Sequence, residues 1–589
     1  MIEPLPPAAI LIVGALLVPL FKGRLKSVYL LVVPALALLD LLYMPAGKYW
    51  TVAFLDYELI FGRADKLSMA FGYVFVLITF IGMLYALNVR DDAQHMASLI
   101  YAGGALGVTF AGDLFSLYIF WEILAIASVF LVLARRKPAS TAAAFRYFMW
   151  HFFGGLCLLA GIILYVIQRG TAEFAYIGLT DWASIFIFIG FCLNAAVFPL
   201  HCWLPDAYPR ATVSGAVFMS ALTTKSAVYI LARTFPGTET LIWAGAFMTC
   251  FPIFYAVIVN DMRRVLAYSL INQVGFMVCG IGIGTQLAIN GVVAHAFCHI
   301  IYKALLFMST GAVLHMTGKI RATDLGGLYK TMPFTAVCCM IGAASISAFP
   351  LFSGFVSKSM TVTAAAEQHL TLVWFMLMFA SAGVFHHAGI KVPFFIFFGH
   401  DSGIRTKEPP INMRLAMGIA AFICIFLGVY PKPLYDLLPY AVAYIPYTAF
   451  HVLAMLELLM FGALAFTVLV LSGHYPPEMR AVNLDTDWLV RIPGKKFIWF
   501  CDAPLKEIGG FFERCLTGVV AVCRRFPVNA TNLEKRFDAV FHSGLTALPD
   551  LFYAWGRHLR TEMKQLSWNL VYILMPFCAL LAIMLFWLG

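Results

Sequence analysis

Five charged side chains stand alone inside long apolar stretches of this sequence: Glu122, Lys225, Lys303, Lys358 and Lys391. A charge at the centre of a bilayer helix costs roughly 2.5–3.5 kcal/mol, even on the more lenient insertion scales. Charges kept at that cost usually face a protein interior or a water-filled cavity, and they mark routes for ions or protons. The five charges therefore predict ion or proton transfer.

Two histidines precede Lys303 at intervals of four residues in the string HAFCHIIYK. Residues four apart lie on one face of a helix, so His295, His299 and Lys303 are predicted to form a row of titratable groups. Histidine titrates near physiological pH, so such a row could pass protons through water. The row could equally be a set of interhelical hydrogen bonds with no role in transport.

A structural interpretation stays open for the other charges as well. Glu122 could be a carboxylate that pairs with a neighbouring helix. Lys358 and Lys391 could extend to a membrane interface, because each is nearer to a helix end. Glu457 lies apart from the other charges and is predicted to contact a partner or to anchor its helix.

The composition is that of a membrane protein. Of 589 residues, 62% are hydrophobic and 12% are charged, and the mean hydropathy is +0.86. The first apolar run, residues 5–21, has no basic start and is not expected to be a cleaved signal peptide. The 13 cysteines show neither a CxxC pair nor metal spacing, and no phosphate-binding glycine loop is found. We therefore expect no cofactor, no metal site and no nucleic-acid partner.

Sixteen apolar stretches are long enough to span the hydrocarbon core. They begin near residues 5, 27, 67, 95, 114, 141, 183, 212, 241, 265, 287, 333, 369, 414, 449 and 569. The basic loops, at 22–26, 135–137, 263–264, 319–330 and 405–414, all fall on one side, which explains the net charge of +10. That side is predicted to be cytoplasmic, with both termini on the outer side.

Two of these helices contain a proline beside polar residues: Pro199 in FPLHC and Pro350 in FPLFSG. Proline breaks a helix, which is tolerated at membrane depth only where other groups satisfy the backbone. The breaks lie five helices apart, and an odd-numbered repeat must invert its topology. Helices 4–8 and 9–13 are therefore predicted to be inverted repeats, with broken helices 7 and 12 at the transport site.

The predicted fold is an all-α polytopic membrane protein with about fourteen core helices. Residues 474–568 are too polar to span, and they are predicted to form amphipathic helices along the cytoplasmic face. A disordered or regulatory tail is the alternative, and the many aromatic residues argue against it. The predicted regions are N-terminal helices 1–94, repeats 95–235 and 236–400, core helices 401–473, lateral region 474–568 and transmembrane anchor 569–589.

Six strings together resemble the antiporter-like subunits shared by Mrp-type cation/proton antiporters, respiratory complex I and membrane-bound hydrogenases. They are DLFSLYIFWEI (113–123), AAVFPLHCWLPDAYP (195–209), LTTKSAVYILAR (222–233), DMRRVLAYSLINQVG (261–275), HAFCHIIYKALLFMSTGA (295–312) and the region from DLGGLYKTMP to LFSGFVSK (324–358). These strings are most similar to those of the D-type subunit of Mrp antiporters.

The resemblance implies fourteen core helices in two inverted repeats, with a lateral helix in some members. It implies that Glu122 is the glutamate of the first channel and that Lys225 is the connecting lysine. His299 and Lys303 match the helix-11 pattern, and Lys358 matches the charge of broken helix 12. It further implies other membrane subunits as partners and the inner membrane of a bacterial or archaeal cell as the location.

The sequence departs from the family pattern at Asn194. Family members usually carry a lysine at this position, and its pairing with the helix-5 glutamate is thought to drive the pump. Asparagine carries neither a charge nor a titratable proton at any ordinary pH. The first half-channel is therefore altered in mechanism, differently selective or inactive.

Three functions fit these observations. The first is a subunit that moves protons, or exchanges protons for sodium, along a chain of Glu, Lys, His and water near the midplane. The second is the pumping membrane subunit of a complex I-like oxidoreductase or a membrane-bound hydrogenase, whose redox site lies in another subunit. The third is a non-pumping scaffold, which Asn194 favours and the costly buried charges oppose.

Overall fold

The computed structural model of the chain describes residues 4–54 and 57–476, together with scattered positions from 478 to 517. The chain divides into two units, residues 1–483 and 484–589, and every element named below belongs to the first. Most of the predicted lateral region 474–568 and the whole of the predicted anchor 569–589 lie outside the described residues.

The N-terminal part and the first predicted repeat consist of helices that follow one another with short connections. They are α1 (Pro7–Leu17), α2 (Gly23–Tyr43), α3 (Lys66–Ala86), α4 (Asp92–Phe110), α5 (Leu114–Leu133), α6 (Pro138–Arg169), α7 (Trp182–Asn194), α8 (Trp203–Ala207), α9 (Gly215–Ala221) and α10 (Thr223–Thr234).

The second predicted repeat and the remaining core continue in the same way. Their helices are α11 (Glu239–Ile258), α12 (Met262–Ile283), α13 (Gln286–Thr317), α14 (Pro333–Ile346), α15 (Ser353–Glu367), α16 (Thr371–Val384), α17 (Ile411–Val429), α18 (Lys432–Asp436) and α19 (Ala449–Leu471). Two π-helical segments, Phe385–Lys391 and Phe394–Phe398, extend α16.

Among the described residues, eleven helical segments are long and apolar enough to cross a membrane. Three shorter apolar helical segments, Pro7–Leu20, Trp182–Asn194 and Pro333–Ile346, accompany them. The prediction of a mostly helical, multi-pass membrane protein is confirmed. The number of core helices stays a prediction.

One β-hairpin interrupts the helices, and the sequence analysis does not predict it. Strands β1 (Gly47–Phe54) and β2 (Tyr57–Ala64) pair antiparallel. The hairpin is fixed to the start of α5, because the Ile60 N–H donates to Asp113 Oδ2 at 2.6 Å. The same aspartate caps α5 by accepting from the backbone of its first turn. The all-α prediction is therefore wrong for these residues.

The two long helices α6 and α13 are matched in length and position. Each has 32 residues, and each bound of α13 lies 148 positions beyond the matching bound of α6. Both end at a left-handed glycine, Gly170 or Gly318. The aspartates that cap the preceding helices, Asp113 and Asp261, are also 148 positions apart. This spacing agrees with the predicted repeats, whose inversion in the membrane stays a prediction.

Both predicted proline positions lie in turns between helices. Residues 195–202 separate α7 from α8, and Pro199 lies among them after a cis peptide bond. Residues 347–352 separate α14 from α15, and Pro350 lies in that turn. The broken helices leave backbone groups inside the protein that side chains can contact.

Candidate functional site

Lys225 lies at a third helix break, which the sequence analysis does not predict. Helix α9 ends at Ala221 and α10 begins at Thr223, so the Ser220 carbonyl is left to a side chain. Lys225 Nζ donates to this carbonyl at 2.7 Å and to Thr224 Oγ1 at 3.1 Å. The lysine is fully buried, and in the described part of the chain these partners are uncharged.

The predicted row on α13 is entirely buried. The ring centroids of His295 and His299 are 6.0 Å apart, and His295 Nδ1 lies 3.3 Å from Ser357 Oγ on α15. Neither nitrogen of His299 nor Lys303 Nζ has a hydrogen-bond partner among the described residues. Buried polar atoms without protein partners need water or an ion to satisfy them.

Lys358 lies on α15 just beyond the second helix break and is 1% exposed. Its Nζ donates to the Ile346 carbonyl at the end of α14 at 2.9 Å and lies 5.3 Å from the ring centroid of Phe276. The same ring contacts His295 at a centroid distance of 6.2 Å. The alternative that Lys358 extends to an interface is therefore wrong.

Lys391 ends the first π-helical segment and is also fully buried. Its Nζ donates to the carbonyl oxygens of Ala256, Val257 and Val259 at 3.2, 2.5 and 2.9 Å. An extension of Lys391 to an interface is therefore wrong as well. Short π-helical segments are rare and occur frequently at functional sites.

Glu478 is a site residue that the sequence analysis misses. Its Oε1 lies 2.7 Å from Lys391 Nζ, and the side chains of this ion pair are 8% and 0% exposed. Glu478 follows α19 in a polar stretch that the sequence places in the lateral region. No local pattern indicates that the chain returns to a lysine 87 positions earlier.

His387 connects Lys391 to the row on α13. Its ring is fully buried. It lies within electrostatic range of both Lys303 and Lys391. Lys225 is likewise within electrostatic range of His295, His299 and Lys303. The structure thus brings the predicted residues from Lys225 to Lys391 into one buried series.

Glu122 lies apart from this series, on α5, and is partly buried. Its Oε1 has no hydrogen-bond partner among the described residues. A Cβ atom at Gly155 of α6 would overlap this oxygen. The missing side chain of Gly155 therefore makes the space in which the carboxylate lies.

Asn194 pairs with a histidine that the sequence analysis misses. Asn194 Oδ1 lies 2.7 Å from His151 Nδ1, and both side chains are buried. The His151 ring packs against Tyr147 and Trp203, with centroid distances of 4.2 and 4.6 Å. A lone histidine in the apolar run WHFFGG was the available signal, by the same criterion that selects Glu122.

Hydroxyl groups connect the surroundings of His151 to those of Lys225. Tyr147 Oη lies 2.9 Å from Ser128 Oγ and 3.5 Å from Thr223 Oγ1. Thr223, two positions before Lys225 in the chain, has its Oγ1 2.5 Å from Tyr101 Oη. Hydroxyl groups both donate and accept hydrogen bonds, so this network links the two sites within the first predicted repeat.

The middle of the chain matches a known protein family. Residues 111–385 match the family model described as "NADH:quinone oxidoreductase/Mrp antiporter, TM". The matched range contains Glu122, Lys225, Lys303 and Lys358. Lys391 lies beyond it.

Two curated relatives are components of cation/proton antiporters by name. The probable K(+)/H(+) antiporter A/B subunit of Rhizobium meliloti is 30% identical over 403 residues, which are 63% of this chain and 40% of that protein. The Na(+)/H(+) antiporter A1 subunit of Staphylococcus haemolyticus is 29% identical over 416 residues, 62% of this chain and 52% of that protein. The chain spans about half the length of these relatives.

Two solved structures share the fold. The Mrp complex from Dietzia sp. DQ12-45-1b matches with a TM-score of 0.71 and 23% identity, covering 92% of this chain and 62% of that chain. The membrane-bound sulfane sulfur reductase, an archaeal respiratory membrane complex, matches with a TM-score of 0.66 and 26% identity, covering 73% of this chain and 95% of that chain.

Proposed function

Because residues 111–385 match the model of the NADH:quinone oxidoreductase and Mrp antiporter family of transmembrane subunits, we propose that the chain translocates ions. It moves protons, or exchanges protons for sodium or potassium, as one subunit of a multisubunit membrane complex. The antiporter components among its curated relatives support this function. The D-type assignment stays a prediction, since the reported relatives are of the A type.

One observation carries the proposal: a buried series of titratable groups crosses several helices without leaving the protein. It runs from Lys225 through the α13 row, and it continues to Lys358 on one branch and to Lys391 on the other. Intramembrane ionisable groups that face one another across helices are typical of proton relays. Several of them have no hydrogen-bond partner among the residues that the structure describes, and water is the partner that a relay would give them.

The direct test is cation/proton exchange by the purified complex in proteoliposomes, with and without Lys358. We expect Lys358→Met to lower exchange by about 100-fold, because a positioned proton-transfer group contributes about 10²–10⁴-fold. A pH-sensitive dye inside the vesicles measures the exchange in sodium and in potassium gradients. Lys432→Met is the control, because the ion pair of Lys432 with Asp436 is exposed on both sides. Equal exchange in the Lys358 variant and the wild type would contradict the function.

A smaller change tests whether Glu122 lies on the route. Gly155→Ala must displace the Glu122 carboxylate, and it costs little stability because the displaced atom ends a flexible side chain. We expect about tenfold lower exchange, since a misplacement of about 1 Å can cost far more than that. Gly154→Ala is the matched control, because its Cβ would meet only the Leu193 side chain at 3.3 Å. Wild-type exchange in Gly155→Ala would place Glu122 off the route.

A second candidate function is the pumping subunit of a redox-driven respiratory complex. The chain covers 95% of its match in the sulfane sulfur reductase complex but only 40–52% of the two antiporter relatives. Mass spectrometry of the complex purified in mild detergent separates the candidates. Iron–sulfur or nickel proteins indicate a redox complex, whereas small membrane subunits alone indicate an antiporter.

The non-pumping scaffold is the weaker proposal. Asn194 favours it, but the buried lysines oppose it, because a structural protein gains nothing from such costly groups. Glu457 is exposed on α19, whose apolar surface is mostly uncovered, and this supports a partner at that helix. For the orientation we propose that the basic loops and lateral region face the cytoplasm of a bacterial or archaeal cell, with both termini outside.

A further inference from the structure

Four oxygen atoms converge on the ammonium group of Lys391. Three are the carbonyl oxygens of Ala256, Val257 and Val259, and the fourth is Oε1 of Glu478 at 2.7 Å. An ammonium group has only three hydrogens to donate, so four oxygens within hydrogen-bond distance exceed its capacity. The arrangement supplies more oxygen ligands than a lysine can use.

Two of the carbonyls, those of Ala256 and Val257, belong to the last turn of α11, which finishes at Ile258, and the third, that of Val259, follows directly after the helix. The last four carbonyls of a helix have no partner within the helix, and they carry the negative end of its dipole. Glu478 adds one full negative charge from the segment after α19. The group of oxygens is buried, because Lys391 and Glu478 are 0% and 8% exposed.

Oxygens of this kind are the ligands of alkali cations in membrane proteins. Potassium channels replace the hydration shell of the ion with backbone carbonyls, and transporters coordinate sodium with the C-terminal ends of helices. An ammonium group and an alkali cation carry the same charge. We propose that the Ala256, Val257 and Val259 carbonyls and Glu478 form a binding site for a monovalent cation, for which the Lys391 ammonium group competes.

This cation site rests on the proposed function, because it is the site at which the exchanged cation would bind. The carboxylate of Glu478 balances one positive charge, so the lysine and the cation hold the oxygens alternately. His387 lies within electrostatic range of both this lysine and Lys303 of the α13 row. When the monovalent cation occupies the oxygens, the Lys391 ammonium group must therefore leave them.

Lys391→Met removes the competitor and leaves the oxygens in place. In the purified complex, the thermal unfolding midpoint is followed in NaCl, KCl and choline chloride at constant ionic strength. We expect sodium or potassium to stabilise Lys391→Met with an apparent Kd at least about tenfold lower than for the wild type. The two salts identify the preferred cation. The double variant Lys391→Met/Glu478→Gln is expected to lose the response.

No cation-specific stabilisation of Lys391→Met, or an equal response in the double variant, would overturn the site. Binding of radioactive sodium or rubidium to Lys391→Gln provides a second measurement, because the glutamine amide still donates to the carbonyls if the methionine variant fails to fold. Lys432→Met is the control for loss of a positive charge. A cation response without exchange in vesicles overturns only the proposed function, and exchange without a cation response overturns only this site.

Discussion

Lys225→Met is expected to abolish coupled ion movement, lowering exchange by about 100-fold or more, while the complex still assembles. Lys225 begins the buried series and lies where the first predicted repeat meets the row on α13. It lies within electrostatic range of His295, His299 and Lys303, and its helix is joined by hydroxyl groups to the surroundings of His151. Removal of its ammonium group therefore interrupts the series of titratable groups between the two predicted repeats.

Assembly is expected to survive because the partners of Lys225 are uncharged in the described residues. The Ser220 carbonyl and the Thr224 hydroxyl lose one donor each, and no carboxylate is left unpaired. Such a loss costs far less than breaking a buried ion pair.

One further variant shows whether Lys225 must release its proton. Lys225→Arg keeps the positive charge, but a guanidinium group does not deprotonate in proteins. It is expected to fail like Lys225→Met if proton transfer is the role, and to function if charge alone suffices. Lys407→Met changes an exposed lysine and serves as the control. Normal exchange in both Lys225 variants would refute a central role for this residue.

The largest expected loss of stability follows Asp65→Ala, by about 3 kcal/mol. Asp65 caps α3, and its carboxylate receives two hydrogen bonds from Arg233, at 2.7 and 2.8 Å. Arg233 is 7% exposed, so loss of Asp65 leaves a buried cation without its carboxylate. Breaking a buried pair costs about 3–5 kcal/mol, and we take a lower value because Asp65 is 34% exposed.

Asp181→Ala is a matched control for this substitution. Asp181 caps α7 with the same capping box, formed with Ser184, and it also pairs with an arginine. That arginine, Arg169, is 45% exposed, so the control loses the cap, which is worth about 1 kcal/mol, and little more. Thermal unfolding midpoints in detergent compare the two variants, and an equal decrease would contradict the contribution of the buried pair.

The Asp65 pair also has a defined pH dependence. Burial alone would raise the pKa of Asp65, but the hydrogen bonds and charge of Arg233, together with the Ser68 N–H and the charge of Arg63, outweigh it, and the pKa lies below its ordinary value of 3.8. Because the pKa is lowered in the folded chain, the pair stabilises fully above that ordinary value. The stabilisation is lost as the pH falls through the lowered pKa. Asp65 thereby holds the helix of Lys225 against the start of α3 at any physiological pH.

Bilayer thickness explains why so much of this fold could be predicted. An apolar run near the length of the hydrocarbon core forms a helix wherever it occurs, so helix positions follow from composition. Lone charges inside those runs stand out for the same reason, and Lys225, Lys303, Lys358 and Lys391 prove to be buried together. The free energy of placing each residue in the bilayer is therefore sufficient to predict both the helix positions and the buried charges.

Features that depend on distant parts of the chain could not be predicted. Glu478 becomes a site residue only because its segment returns to Lys391. The helix break before Thr223 contains no proline that would mark it in the sequence. The hairpin of β1 and β2 needs Asp113 to hold it, 53 positions from Ile60. His151 was visible as a lone titratable residue, but its pairing with Asn194 depends on how α6 and α7 pack.

The equal spacing of α6 and α13 places different side chains at matching positions of the two helices. A shift of 148 positions carries α6 onto α13, and with it His151 onto His299 and Gly155 onto Lys303. Helix α13 therefore has the lysine side chain of Lys303 at the position where α6 has Gly155, which has no side chain. Glu122 reaches from α5 into that vacant volume, so the same turn is positive in one half and negative in the other. Matching turns of α6 and α13 thus lie beside a carboxyl group in one half and carry an ammonium group in the other.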